Sequence, residues 1–540
     1  MKKNTQYILG ILLVSSLFFS CRKSFLDEDL KSNYAPQNVL KDSLGFDAAI
    51  TGLHYQFRQQ WSGEPQGMIC CNYVGTDMAI SVQLFSNEKP YFNYALLTSQ
   101  DVSALNNWRW AYSIINNANF VIQSLHDSAS LVSMSVGYRR ALEGEARFFR
   151  AYAYNFLSIL WGDVPIIDKP INTPKTDFVR SPVNTVINFI ISDLQYASSY
   201  CRDVNYVSKV LKREGRITTS AVHQLLAEVY LRAKKPDLAE IQCNNIISSG
   251  FFNLNTTRFG VNKLVAGDPF SDMFITGNER RRQGNNEVIW VVEQEYNVSG
   301  GGVIQFPGTN TTPSDQHRRV WVPRYIDVAG MEACDSLGGR GIGRMRLSNW
   351  VIYNLYETSD MRNSRFNIKR NFYYTSGVNK GLPIVPKATD TLFRLCPYTT
   401  KWNNFVAADA FGYADYKDII VMRLGETYLL LAESQFNQGH LDDAAATLNI
   451  IRIRAGATPI AAADVTLDFI LDERARELLA EENRRMTLVR TGKLVERTLT
   501  LNSTSMGQGA DISAKNLLLP IPFAEINLNK DAVLTQNPGY

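Results

Sequence analysis

The chain has 540 residues, is 45% hydrophobic and 20% charged, and carries a formal charge of +4. Loss of Lys2 and Lys3 with a leader would leave +2, a near-neutral balance that argues against a nucleic-acid-binding surface. Its seven cysteines include no CxxC pair and its five histidines are scattered, which argues against a zinc site, and the length allows about two to four domains.

Residues 1–20 read as an export signal. Lys2 and Lys3 supply the positive start, and residues 7–19 form an apolar run too short to span a bilayer comfortably. Ser20-Cys21 at the end of that run resembles a bacterial lipobox, although Phe18 and Ser20 are not the commonest residues there. Cleavage would leave Cys21 as an acylated N-terminus, and several acyl chains hold a protein stably on a membrane. Plain secretion after a nearby cleavage is the alternative. No later segment is long and apolar enough for a transmembrane helix.

Asp42-Ser43 is placed to cap a helix carrying Phe46, Ala49, Ile50 and Leu53 on one face. Residues 61–100 are irregular. Helical spacing returns over 104–125 and 138–160, the latter stopped by Trp161-Gly162-Asp163-Val164-Pro165. Further helices are expected over 182–200 and 219–233.

From 251 to 416 the periodicity fades. Glycine clusters (300–302, 338–343), a β-like run over 287–292 and dispersed aromatic residues replace it. The segment is too aromatic for disorder, and a long irregular stretch between helical blocks is usually functional surface. Helices are expected again over 418–456, where Met422, Tyr428, Leu429, Ala432 and Phe436 form one stripe. Gly439 marks a turn, and Leu441, Ala444, Ala445, Leu448 and Ile451 form the next stripe, ended by Gly456. Residues 466–494 alternate charges of both signs, which predicts a solvated or mutually paired face. The prolines near the C-terminus predict an extended, docked tail.

Two antiparallel helices with small residues at their crossing resemble a tetratricopeptide-type hairpin. Leu431-Ala432 with Ala444 repeats the spacing of Leu226-Ala227 with Ala239, so the two regions read as copies of one unit. Their separation along the chain predicts an array that is not an uninterrupted solenoid. Cys243 falls in the first copy and reads as a small buried hydrophobe. Whether Cys334 and Cys396 pair is left open.

Together these segments resemble the SusD/RagB family of surface lipoproteins from Bacteroidota. The residues that carry the resemblance are Cys21 with Phe25-Leu26-Asp27, Trp108 to Asn119, Glu145-Ala146-Arg147-Phe148-Phe149-Arg150-Ala151 and Trp161 to Pro165. In the C-terminal half they are Arg423, Glu426, Tyr428-Leu429, Glu473-Arg474, Glu477-Leu478, Leu519 to Pro522 and Asn537 to Tyr540. Glu482, Asn483, Arg484 and Thr487-Leu488 depart from the family pattern after Glu481.

The resemblance implies a mostly α fold: a tetratricopeptide-like helical scaffold with irregular, partly β insertions forming the ligand face. After the lipoprotein signal peptide (1–20) it implies an N-terminal helical region (21–250) and a C-terminal region (251–540). The latter divides into a ligand-face insertion (251–416), helical repeats (417–500) and an extended tail (501–540). It further implies a non-enzymatic lipoprotein without a cofactor, anchored in the outer membrane and surface-facing. Such a protein captures oligosaccharides, or peptides, and passes them to a SusC-like TonB-dependent transporter.

Sugar capture needs flat aromatic faces and planar polar groups. Trp61, Tyr73, Asp77, Trp321, Trp350, Tyr353 and Trp402 lie outside the periodic helices and are the ligand-facing candidates. Glu293 and Glu295 at i, i+2 on a strand would share a face, as a glycoside hydrolase's carboxylates can. Charged pairs on the wet side of a strand are far commoner. A hydrolase on a helical scaffold and a purely protein-binding scaffold are the rival readings.

Overall fold

The computed structural model describes residues 40–61, 67–82, 87–126, 134–296, 298, 302–303, 315–407, 410, 416–503 and 507–540. The leader and Cys21 lie outside the described residues. Numbering the longer helices in chain order, α1 is Ser43–Arg58, α2 Val102–His126, α3 Val136–Leu160, α4 Val183–Tyr200, α5 Thr219–Arg232 and α6 Pro236–Ile247. After the insertion come α7 Leu424–Asn437, α8 Leu441–Arg454, α9 Leu467–Glu477 and α10 Arg484–Arg490.

Side-chain oxygens start several of these helices by accepting from otherwise unpaired first-turn amides. Asp42 accepts from Gly45 N at 2.8 Å, and Ser135 and Thr218 do the same for α3 and α5.

The helices pack in series. α1 lies on α2 and α3, each of α2 to α6 packs on the next, α6 lies against α7, and α7 contacts α8 and α9. The two hairpins, far apart in the chain, are therefore neighbours in space. Gln438 Nε2 donates to Glu240 Oε2 at 2.6 Å, and Ser434 Oγ donates to the Pro236 carbonyl. Gln224 of α5 donates to Glu426 and accepts from Thr427, both at 2.7 Å. Ala227, Ala239, Ala432 and Ala444 are fully buried. A methyl at such a crossing lets two helix axes approach closely, and that spacing is what the repeated alanines provide.

Two expectations are corrected. Ile419–Arg423, with Met422, is a strand rather than the first turn of α7. Its β-branched run pairs antiparallel with Val288–Val292 of the insertion. Within the 466–494 stretch α9 ends at Glu477, Ala480 turns the chain with φ +61°, and α10 follows. The tail is docked, Leu519 N donating to Leu160 O at 2.7 Å and Trp161 Nε1 to Pro520 O at 2.9 Å, but Phe523–Leu528 within it is helical.

Of the two readings of the alternating charges, the structure takes pairing, and the paired face is buried. Glu477 accepts from Arg362 at 2.9 Å, from Arg423 at 2.6 Å and from Arg454. Glu473 meets Arg362, Arg452 and Arg476, each at 2.8 Å. Burial pushes the Glu477 carboxyl up, but Arg454, Arg423 and Arg362 outweigh it and hold the group far below the usual carboxylate range. A buried charge without a partner costs several kcal/mol, about 3–5 when one partner is removed, so the charges assemble as a network.

The segments outside the scaffold are tied to it and to one another. Ala79–Ser81 pairs antiparallel with Met345–Leu347, and Trp61 O accepts from Gln316 N at 3.0 Å. Residues 69–97, Trp321, Met345, Leu347 and Trp402 thereby share one core with α1 to α5 as far as they are described, whereas Val322, Tyr325, Leu337, Phe372 and Tyr398 form a separate cluster. The six described cysteines are all free; Cys243 is buried as expected, and Cys334 and Cys396 do not pair.

Candidate functional site

The structure sorts the seven sequence candidates sharply. Tyr73, Trp321 and Trp402 are core residues. Tyr73 meets Trp321 edge-on at 5.1 Å, and Trp402 stacks on the His317 ring at 3.7 Å while its indole N–H donates to Ala480 O at 3.0 Å. Asp77 is wholly buried and accepts from Arg484 at 2.8 and 2.6 Å and from Arg497 at 2.7 Å. Asp77 and Trp321 present no open face to a ligand, and the expectation that these two face one is corrected: the irregular segments fold back as core, so lying outside a helix does not mean lying on the surface.

Trp61 is half-buried and, with Tyr73, His317 and Trp402, lines a polar crevice between α3, α5 and the 419–423 strand. The crevice encloses only about 100 Å³, room for about three waters. Trp350 and Tyr353 lie on the short helix Asn349–Tyr353, which Ser348 caps. Trp350 is half-buried beneath the Arg497 guanidinium at 5.2 Å, whereas Tyr353 is 69% exposed. Glu293 and Glu295 are also separated: Val288–Val292 ends before Glu293, which sits 3.6 Å from Arg280, and Glu295 is exposed.

A larger cleft, about 410 Å³, is built wholly from residues 258–405 of the insertion, within the size range of ligand pockets. Its construction can be followed residue by residue. Arg258 pairs with Asp272 at 2.6 Å and donates to Val265 O and Asn262 O, both at 2.7 Å, so one guanidinium folds the 258–276 wall. Asp268 caps the short helix Pro269–Asp272 and accepts from Ser364 at 2.6 Å and from Asn367, which fastens the floor to that wall. Ile368–Lys369 pairs with Tyr398–Thr399, and Thr400 Oγ1 donates to Phe366 O at 2.6 Å. The glycine cluster has its purpose at the opposite edge. Gly338 has φ +75°, and a Cβ there would lie 2.1 Å from the Asn403 amide oxygen, so glycine lets the 400–405 segment close in.

Half-buried Phe366 and Phe405 give the cleft its flat apolar surfaces, and Asn403 and Asn404 give it planar amides. Aromatic faces suit the C–H side of a sugar ring and amides suit its hydroxyls. Sequence reasoning missed these residues because it followed tryptophans; the available signal was Phe366 set between Arg365 and Lys369 in a non-helical stretch. Among the described residues no group of His, Cys, Asp and Glu is arranged to hold a metal ion.

Compared with known proteins, residues 345–540 match the model of the SusD family, and residues 24–231 match one described as "starch-binding associating with outer membrane". A SusD-like protein P25 of Formosa agariphila is 25% identical over 97% of both chains. Among solved structures, a laminarin-binding SusD-like protein superposes with a TM-score of 0.69 at 21% identity, covering 93% of this chain and 100% of that one. Surface glycan-binding protein A from Bacteroides thetaiotaomicron, in complex with laminarihexaose, also gives a TM-score of 0.69, at 18% identity, covering 91% and 98%. At these identities the structural likeness establishes the fold.

Proposed function

Since the chain belongs to the SusD/RagB family, we propose that it captures an oligosaccharide on the non-helical face and delivers it to a SusC-like TonB-dependent transporter. An acylated Cys21 holds it at the outer membrane, surface-facing, where transporter and capture protein share one membrane. That confinement raises their effective concentration, so a modest contact suffices. The observation that carries the reading is the cleft: it is ligand-sized, lies outside the packed helices and combines aromatic faces with amides. The glycan-binding neighbours support it.

Capture without chemistry is the expected activity, with no cofactor. A hydrolase would need two carboxyls flanking one bond; the contact of Glu293 with Arg280 at 3.6 Å and the exposure of Glu295 support an ordinary paired and solvated role for these two. Tyr353, the sequence candidate with an open ring, serves in this reading as a second stacking surface; oligosaccharide is favoured over peptide.

A glycan and peptide array of the soluble protein tests this. Binding of an oligosaccharide without turnover is expected, and Phe405→Ala or Tyr353→Ala should each weaken it by about 1 kcal/mol or more, by analogy with stacking on aromatics elsewhere. Turnover would replace the reading with a hydrolase. Failure to bind any glycan or peptide, while a transporter still co-purifies, would replace it with a protein-binding scaffold.

A further inference from the structure

Several buried cations of this molecule are paired, Arg362, Arg423, Arg454 and Lys401 each meeting a carboxylate, and buried Arg485 is held by the Cys71 and Val74 carbonyls and the Tyr94 hydroxyl. The cleft differs. Of its charged lining groups, Arg258 is fully occupied by Asp272 and two carbonyls. Arg365 and Lys369, four residues apart on the cleft floor, both line the cavity, and neither has an ion pair or side-chain hydrogen bond among the described residues. Arg365 rests on the Phe366 ring at 4.9 Å. Lys369 is half-buried; burial pushes its ammonium below the usual range and the charge of Arg365 pushes the same way. Asp335, the cleft's one carboxylate, is solvent-exposed and pairs with neither. Beside them the buried Asn403 Oδ1 accepts no hydrogen bond. A half-buried ammonium beside an exposed guanidinium, with no internal anion between them, makes a site that an external anion stabilises.

We propose that Arg365 and Lys369 bind an anionic substituent, a carboxylate or a sulfate ester, on the captured glycan. The inference rests on the reading of this cleft as the capture site. It assigns the protein to acidic rather than neutral polysaccharide fragments. Arg365 supplies a planar fork and Lys369 a point charge, so an oxyanion can be held from two sides.

The test measures binding of trigalacturonate, a sulfated galactan tetrasaccharide and neutral laminarihexaose to the full soluble chain, to Arg365→Gln and to the Arg365→Gln/Lys369→Gln pair. At least one acidic probe should bind and weaken with rising salt, and the pair should lose about tenfold or more, as removal of a charge-assisted hydrogen bond does. Preference for trigalacturonate identifies a carboxylate site and preference for the sulfated probe a sulfate site. Arg365 is exposed, so its single variant should retain the wild-type melting temperature and guard against loss of folding. If laminarihexaose binds as tightly as the acidic probes and the pair leaves all three unchanged, the inference falls while glycan capture stands. If neither acidic probe binds, the inference falls, and the glycan and peptide array decides capture separately.

Discussion

Asp77 shows what a buried carboxylate does here. Burial pushes its pKa up, but Arg484 and Arg497 outweigh that and hold it below the usual value. Its stabilisation is therefore complete above the unfolded pKa of about 3.9 and is lost as pH falls through the lower, folded one. Asp77→Ala leaves two buried guanidinium groups short of a partner and should cost about 3–5 kcal/mol of stability, read by chemical denaturation. An effect on ligand affinity with no change in stability would instead return Asp77 to the ligand face. Glu279 behaves in the opposite way. Burial pushes its carboxyl up to about 7, and its Oε1 has no hydrogen bond. A raised carboxyl pKa makes ionisation unfavourable in the fold, so stability is lost as pH rises from about 4.5 through about 7. Glu279→Gln should remove that loss, gaining up to about 3 kcal/mol relative to wild type at pH 8 and nothing at pH 4. A variant-to-wild-type difference that does not change with pH would refute this.

At the scale of the element, the helical hairpins rest on small residues. Ala444 is fully buried in a satellite core with Leu429, Ala432 and Leu448. Ala444→Leu forces extra methylenes into that contact and should cost about 1–3 kcal/mol, seen as a lower melting temperature. An unchanged melting temperature would mean the crossing has slack. The strand Ile419–Arg423 makes the converse point. Its residues continue a helical stripe in the sequence, yet pairing with Val288–Val292 satisfies their backbone and buries their side chains together. Local periodicity read one way, and a partner more than a hundred residues away decided the other.

At the scale of the molecule, the scaffold is continuous although its chain is not. α6 lies directly on α7, and the 251–416 segment leaves and rejoins between them, carrying the cleft with it. The whole would be tethered through a residue outside the described structure. Cys21→Ala should release the protein from membranes or leave its precursor uncleaved, as fractionation and mass spectrometry would show. An unmodified mature N-terminus elsewhere in the wild type would exclude lipidation.

By itself, the sequence determined the helices, their caps and the alanine crossings, because those depend on contacts three or four residues apart or on a single turn. It also carried the family, through motifs spread over both halves, and it located the irregular segment that holds the cleft. The tertiary structure alone decided which side chains of that segment face outward. Tyr73, Trp321 and Trp402 lie in aperiodic sequence and still entered the core, while Phe366, Phe405, Arg365 and Lys369 came to line a cavity. The reason is physical: an aperiodic stretch has no repeating face, so the exposure of each residue is set by long-range partners. The same holds for the charges of α9 and α10, whose alternation reads equally as solvated or paired until Arg362, Arg423 and Arg454 arrive from elsewhere in the chain to meet Glu477, and Asp77 and Glu433 to meet Arg484 and Arg490.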